Sequence, residues 1–130
     1  MIVPDGSVVV YALLRLPGSE PVAARLSARN ADLHAPHLLD LEVIQALRRA
    51  YRIGELDLVR AAQVLDDLAN LDLIRHPHSH LSYRIWELRD NITAYDAAYV
   101  ALAESLDAPL LTRDKRLASA PGHHARIELV

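Results

Sequence analysis

The stretch Ala94–Thr112, AYDAAYVALAESLDAPLLT, reads as a helix over Ala94 to Asp107 followed almost at once by a short apolar strand, Pro109-Leu110-Leu111-Thr112. A helix that delivers the chain directly into a buried strand is the unit from which parallel sheets are wound. The same alternation appears on both sides of it. Met1 to Pro4 is a β-branched run that ends at Asp5-Gly6-Ser7, with a helix over Val8 to Leu14. Ser19-Glu20-Pro21 has helix-start chemistry, Ser as acceptor for free amides and Pro in the first turn. Asp32 to Pro36 reads as a strand, Leu39 to Gly54 and Asp57 to Leu71 as two helices joined in a hairpin, Leu71 to Arg75 as a third strand, Ser79 to Asp90 as a helix and Ile127 to Val130 as the last strand. The expected architecture is one domain over residues 1–130, a three-layer α/β/α sandwich with a mainly parallel central sheet.

Composition narrows the chemistry. The 130 residues are 52% hydrophobic and 24% charged, the balance of a globular domain, with no apolar run near the roughly 20 residues needed to span a bilayer. There is no cysteine, which removes disulfides, thiolate metal sites and a thiol nucleophile, and suits a cytoplasmic location. The net charge of −3 means that any contact with nucleic acid must use a local basic patch. Lys115 is the only lysine, so that patch would be built from arginine.

In a parallel α/β sheet, ligands lie beyond the carboxyl ends of the strands, where the strand order switches. Asp5 closes the first strand and Asp114 follows Leu110-Leu111-Thr112, so both belong to that rim. Glu42, one turn into the third helix, and Asp96, in the first turn of the sixth, are placed to reach it from above. Converging carboxylates require a cation, because like charges raise one another's pKa. An all-oxygen set favours Mg²⁺ or Mn²⁺, one or two ions, and a water activated by such an ion is a nucleophile for a phosphodiester. Each acid also has a structural role open to it: Asp5 as a turn residue, Asp114 as the cap of a short helix, Asp96 as partner of Thr93 in a capping box. Asp40 points about 200° away from Glu42 on the helix and reads as a helix N-terminal charge. Arg48 and Arg49 follow Glu42, and Arg113 and Arg116 bracket Asp114, as candidate contacts for RNA phosphates. His76, His78 and His80 read as loop residues, and Tyr83 and Trp86 as core or interface residues.

Four segments together resemble the PIN domains, and among them the VapC-type ribonuclease toxins of toxin–antitoxin pairs. They are Ile2 to Ser7, Asp40 to Arg49, Asn91 to Ala103 and Leu111 to Asp114, an ordered set that spans the full chain. The resemblance implies that Asp5, Glu42, Asp96 and Asp114 are the metal-site acids, with Ser7 and Thr112 as hydroxyl neighbours. It implies cleavage of RNA and inhibition by a small antitoxin, whose tail is expected across the cleft between the third and fourth helices. A homodimer is expected through an apolar helix face with Trp86. Two departures from the usual pattern stand out. Pro4 precedes Asp5 and should disturb the strand end, and Gln45 stands where Asn is common.

Rival readings make different demands. A phosphoacceptor receiver domain wants an adjacent acidic pair at the first strand and an acceptor Asp after the third, where this chain has Arg75-His76. An aspartyl phosphatase wants Asp-x-Asp where this chain has Asp5-Gly6-Ser7. A PIN-like RNA-binding module or a housekeeping nuclease without an antitoxin remains open at this point.

Overall fold

The computed structural model describes all residues, 1–130. Five strands run in parallel: β1 (Val3–Pro4), β2 (Leu33–Pro36), β3 (Leu73–His76), β4 (Leu110–Thr112) and β5 (Ile127–Leu129). β1 pairs with β4 and β4 with β5, while β2 pairs with β3. A bridge between Ile2 and Leu33 joins the two ladders, giving the order 3-2-1-4-5. That join is narrow for a stereochemical reason. Ile2 donates to Asp32 and His34 donates back to Ile2. The next donor toward β2 would be the nitrogen of Pro4, which has no hydrogen, so the β1–β2 ladder stops there. Pro4 disturbs the strand as its chemistry requires, on the β2 side only, since Val3 still donates to Pro109, just before β4, and Asp5 to Leu111 on β4.

The helices are α1 (Gly6–Leu13), α2 (Glu20–Leu26), α3 (Leu38–Arg52), α4 (Leu58–Asn70), α5 (Ser82–Glu87), α6 (Ala94–Leu106) and α7 (Lys115–Ser119). α6 packs on β1, β2 and β4 with α5 beside it, and α1 packs with α2, α3 and α4. Every residue from Ala97 to Ala103 is buried, the signature of a helix enclosed on all sides. It shares one core with Val3, Val8, Val9, Leu33, Leu39, Val43, Leu110 and Leu111. No helix is long and apolar enough to cross a membrane.

Three expectations are corrected. The helix expected over Ser79 to Asp90 is a 3₁₀ turn at Ser79–Leu81, which buries Leu81, followed by the six-residue α5, after which the chain turns at the buried Leu88. Ser19 precedes α2 but its side chain makes no cap bond, since its backbone is already α-like (φ −81°, ψ −9°) and the hydroxyl is not aimed at the free amides. Of the core and interface readings of Tyr83 and Trp86, exposure excludes the core and leaves the interface, and Arg89 lies over the Trp86 ring at 4.6 Å. Of the three histidines read as loop residues, His76 instead ends β3 and His80 lies in the 3₁₀ turn. His76 hydrogen-bonds His34 across β2–β3 at 2.8 Å.

Candidate active site

β1 is flanked by β2 on one side and β4 on the other, so the strand order switches at β1, and the crevice opens beyond the ends of β1 and β4. Asp5 is the first residue past β1. Its extended backbone (φ −82°, ψ 173°) makes it the N-cap of α1, with its Oδ1 accepting from the Val8 N–H at 3.0 Å. The same oxygen accepts from Ser7 Oγ at 2.5 Å, and Oδ2 accepts from the hydroxyl of Thr112 at the end of β4. Thr112 is fully buried, and its Oγ1 in turn accepts the Asp114 N–H at 3.0 Å. Ser7 Oγ accepts the Arg113 N–H at 3.1 Å. Two hydroxyls thus tie the loop after β1 to the loop after β4, with the Asp5 carboxylate at the centre.

The other acids arrive on helices. Asp114 caps α7, accepting from the N–H groups of Arg116 (2.8 Å) and Leu117 (3.4 Å). Asp96 sits in the first turn of α6, where its N–H donates to Thr93 Oγ1 at 3.1 Å. Glu42 projects from α3 against α1 and accepts a short hydrogen bond from the Tyr99 hydroxyl. Gly6 permits that approach, for a Cβ there would lie 3.0 Å from the Cβ of Glu42. Three of the four acids therefore sit at helix N-termini, where the free amides favour negative charge.

That favour does not cancel the crowding. Burial, then the charges of Asp5 and Asp96, push the Glu42 pKa above the usual range against the pull of the Tyr99 hydrogen bond. Burial, then the charges of Asp114 and Asp5, push Asp96 up likewise, against the hydroxyl of Thr93 and the charge of Arg116. Burial and the Glu42 charge hold the Tyr99 hydroxyl far above its ordinary value, so it stays a donor. The four acids form one electrostatic cluster. No three of them stand close enough together to grip a single ion directly.

A groove runs to either side of the cluster. On the Glu42 side a cleft of about 570 Å³ opens between α1 and α3, lined by Val10, Leu38, Leu41, Ala46, Arg49 and Tyr95. On the Asp96 side a more polar hollow of about 460 Å³ is lined by Arg89, Asp90, Asn91, Asp114 and Arg116. The cleft expected between the third and fourth helices is filled: Leu47 of α3 and Val64 and Leu68 of α4 are buried, and the open groove lies on the α3 face that carries Glu42, Gln45 and Arg49. Arg48 lines neither hollow and is exposed on another face of α3. Asp40 is engaged elsewhere, gripped at 2.7 and 2.9 Å by Arg75. Tyr99 was not singled out from the sequence. Its signal is the spacing of three from Asp96, which puts both on one face of α6.

The family model for the PIN domain matches residues 2–122. This chain belongs to the PIN-domain family. It is of the VapC type, similar to ribonuclease VapC1 of Mycobacterium tuberculosis, 47% identical over 98% of this chain and 96% of that protein. It is likewise similar to ribonuclease VapC12 of the same species, 42% identical over 100% and 99%. Among solved structures, PAE2754 from Pyrobaculum aerophilum superposes with a TM-score of 0.69 at 27% identity, covering 91% of this chain and 84% of that one. VapBC2 from Rickettsia felis, solved with a DNA fragment from its promoter, gives 0.67 at 18% identity over 100% and 99%, a likeness of fold. The α/β sandwich around a parallel sheet is thus the PIN fold.

Proposed function

We propose that this PIN domain is a Mg²⁺- or Mn²⁺-dependent endoribonuclease, the toxin of a toxin–antitoxin pair, with Asp5, Glu42, Asp96 and Asp114 as its metal-site acids. The observation that carries the reading is the cluster of four carboxylates at the strand switch, two of them, Glu42 and Asp96, with pKa values raised by burial and by the charges of neighbouring acids. Such a donor set suits a hard divalent cation, and Mg²⁺ commonly keeps several waters beside one or two carboxylates, in keeping with acids too far apart for joint direct ligation. Asp5, Asp96 and Asp114 would hold the ion with Glu42, some through water. When bound, the ion supplies positive charge to the phosphate oxygens and to an attacking water.

The protein's own groups do the rest. Ser7 and Thr112 hold the Asp5 carboxylate in one orientation from both sides. Tyr99 orients Glu42. Arg49 on one side of the cluster and Arg116 on the other are placed to hold RNA phosphates along the groove. The apolar wall of the cleft between α1 and α3 suits a segment of an antitoxin that covers Glu42 and blocks the acids. Likeness to VapC ribonucleases supports both the RNA substrate and the antitoxin. The exposed Tyr83 and Trp86 face is where two copies are expected to pair.

The test is cleavage of labelled RNA by the purified protein with Mg²⁺ or Mn²⁺, with EDTA as control. Asp5→Asn and Asp96→Asn are each expected to lower the rate by at least about 100-fold, as loss of charge at a metal site does. Full cleavage in EDTA, or in both variants, would sink the assignment.

A further inference from the structure

Arg25 pairs with Glu128, Arg75 with Asp40, and Arg84 with Glu104 and Glu87. Arg113 lies in the loop between Thr112 and Asp114, yet its guanidinium makes no ion pair and no hydrogen bond. Instead its central carbon lies 3.4 Å from the centroid of the Tyr11 ring. An arginine stacked in this way keeps its planar N–H edge free while the ring fixes the plane.

Tyr11 is itself held. Its hydroxyl donates to the Pro17 carbonyl at 2.9 Å. Gly18, at φ +84°, leaves the space this needs, since a Cβ there would stand 2.8 Å from the Tyr11 oxygen. At its other end Arg113 is fixed through its backbone N–H to Ser7 Oγ, the hydroxyl that bonds Asp5. The turn after α1, the ring of Tyr11 and the loop after β4 thus hold a free cation in place on the loop that joins Thr112 to Asp114.

We propose that Arg113 is a pre-positioned phosphate clamp that grips the RNA backbone next to the bond cleaved, and that Tyr11 is a positioning residue acting through it. The proposal rests on the nuclease reading of the site. A guanidinium with two free N–H groups in one plane matches the two oxygens of a phosphodiester, and holding its plane in advance removes part of the ordering cost of binding. An unpaired cation on the loop that carries Thr112 and Asp114 also adds positive charge on the approach to the acids, which a chain of net charge −3 needs locally.

The measurement is binding of a short fluorescein-labelled single-stranded RNA of mixed sequence, by anisotropy, in the Asp96→Asn background where cleavage is blocked. Adding Arg113→Gln is expected to weaken binding about tenfold and to make the fall of affinity with salt shallower by about one phosphate contact. Arg113→Lys should restore the salt dependence but only part of the affinity. In the cleaving protein, Tyr11→Leu should raise KM several-fold with kcat within about twofold, and Tyr11→Phe, which keeps the ring, should do so less. Because Tyr11 acts through Arg113, Tyr11→Leu should add nothing to Arg113→Gln. Unchanged affinity and salt dependence in Arg113→Gln, or full additivity of the two changes, would overturn the clamp. If Asp96→Asn abolishes cleavage and Arg113→Gln changes nothing, the clamp alone fails; if cleavage survives Asp96→Asn, the nuclease site fails.

Discussion

Asp96 meets two demands at once. Its backbone N–H is taken by Thr93 as a cap requires, while its carboxylate is pressed among burial, Asp114 and Asp5, which raise its pKa. A carboxyl whose folded pKa lies above its unfolded value is less comfortable charged in the fold, so its charge lowers stability above that folded pKa. Asp96→Asn removes the penalty. In EDTA at neutral pH the variant is expected to melt higher than the parent, by about 2 °C for a gain of some ~0.5 kcal/mol in a domain of this size. Mg²⁺ should raise the parent's Tm and leave the variant's almost unmoved; thermal melts with and without Mg²⁺ check both. Thr112 works in the opposite sense. Its buried hydroxyl serves Asp5 and the Asp114 N–H together, so Thr112→Val should cost about 1–3 kcal/mol in urea unfolding, with Thr112→Ser recovering most of it. At this scale the strand-end acids were legible, because a parallel sheet puts its sites at strand ends. Tyr99 was not: its spacing from Asp96 puts it on the right face of α6, but its bond to Glu42 spans 57 positions, and no local pattern records that partner.

Elements were legible where a periodic run was long and its cap was local. α3, α4 and α6 were expected within a residue or two, and Asp57 and Thr93 cap their helices from the side chain. α5 was overdrawn: the segment is bounded by the buried Leu81 and Leu88, whose partners in the core are distant in sequence. α7 has five residues, too short for a period, and only the capping chemistry of Asp114 hinted at it. The packing of α1 on α3 was beyond sequence reach, and Gly6 tests it. Within a helix, Gly→Ala ordinarily gains about 0.5–1 kcal/mol. Here the new methyl would lie 3.0 Å from the Cβ of Glu42, which is no flexible tip, so α3 must give by a few tenths of an ångström. Gly6→Ala is therefore expected to leave stability nearly unchanged while lowering kcat about tenfold, since small misplacements of catalytic groups are costly. Circular dichroism melts beside single-turnover cleavage would separate the two effects.

Across the whole molecule, the alternation of strands and helices gave the layer order, but not which strand lies at the switch. The order 3-2-1-4-5 is set by pairings between distant segments, and the Pro4 gap shows how thin the join between the two halves is. The last strand depends on a separate tie. The side chain of Glu104 on α6 is only 6% exposed and accepts from Arg84 of α5 at 2.8 and 3.0 Å and from the His124 N–H at 3.0 Å, just before β5. Burial alone would raise its pKa, yet the bonds from Arg84 and His124 outweigh it and hold Glu104 below 4.5. The sign follows: the unfolded chain binds more protons in that window, so the tie stabilises the fold above about pH 4.5 and is lost as pH falls through the lower folded value. Glu104→Gln should remove this acid-side loss, and at pH 7 it should cost about 2 kcal/mol, less than for a fully buried pair because Arg84 remains partly in water. Urea unfolding of parent and variant across the acid range tests this, and parallel curves with the same slope against pH would show that Glu104 does not carry the acid response. Hydrogen exchange should locate the loss first in residues 120–130, which the tie anchors to α6, while the acid cluster at the opposite end of α6 keeps its protection.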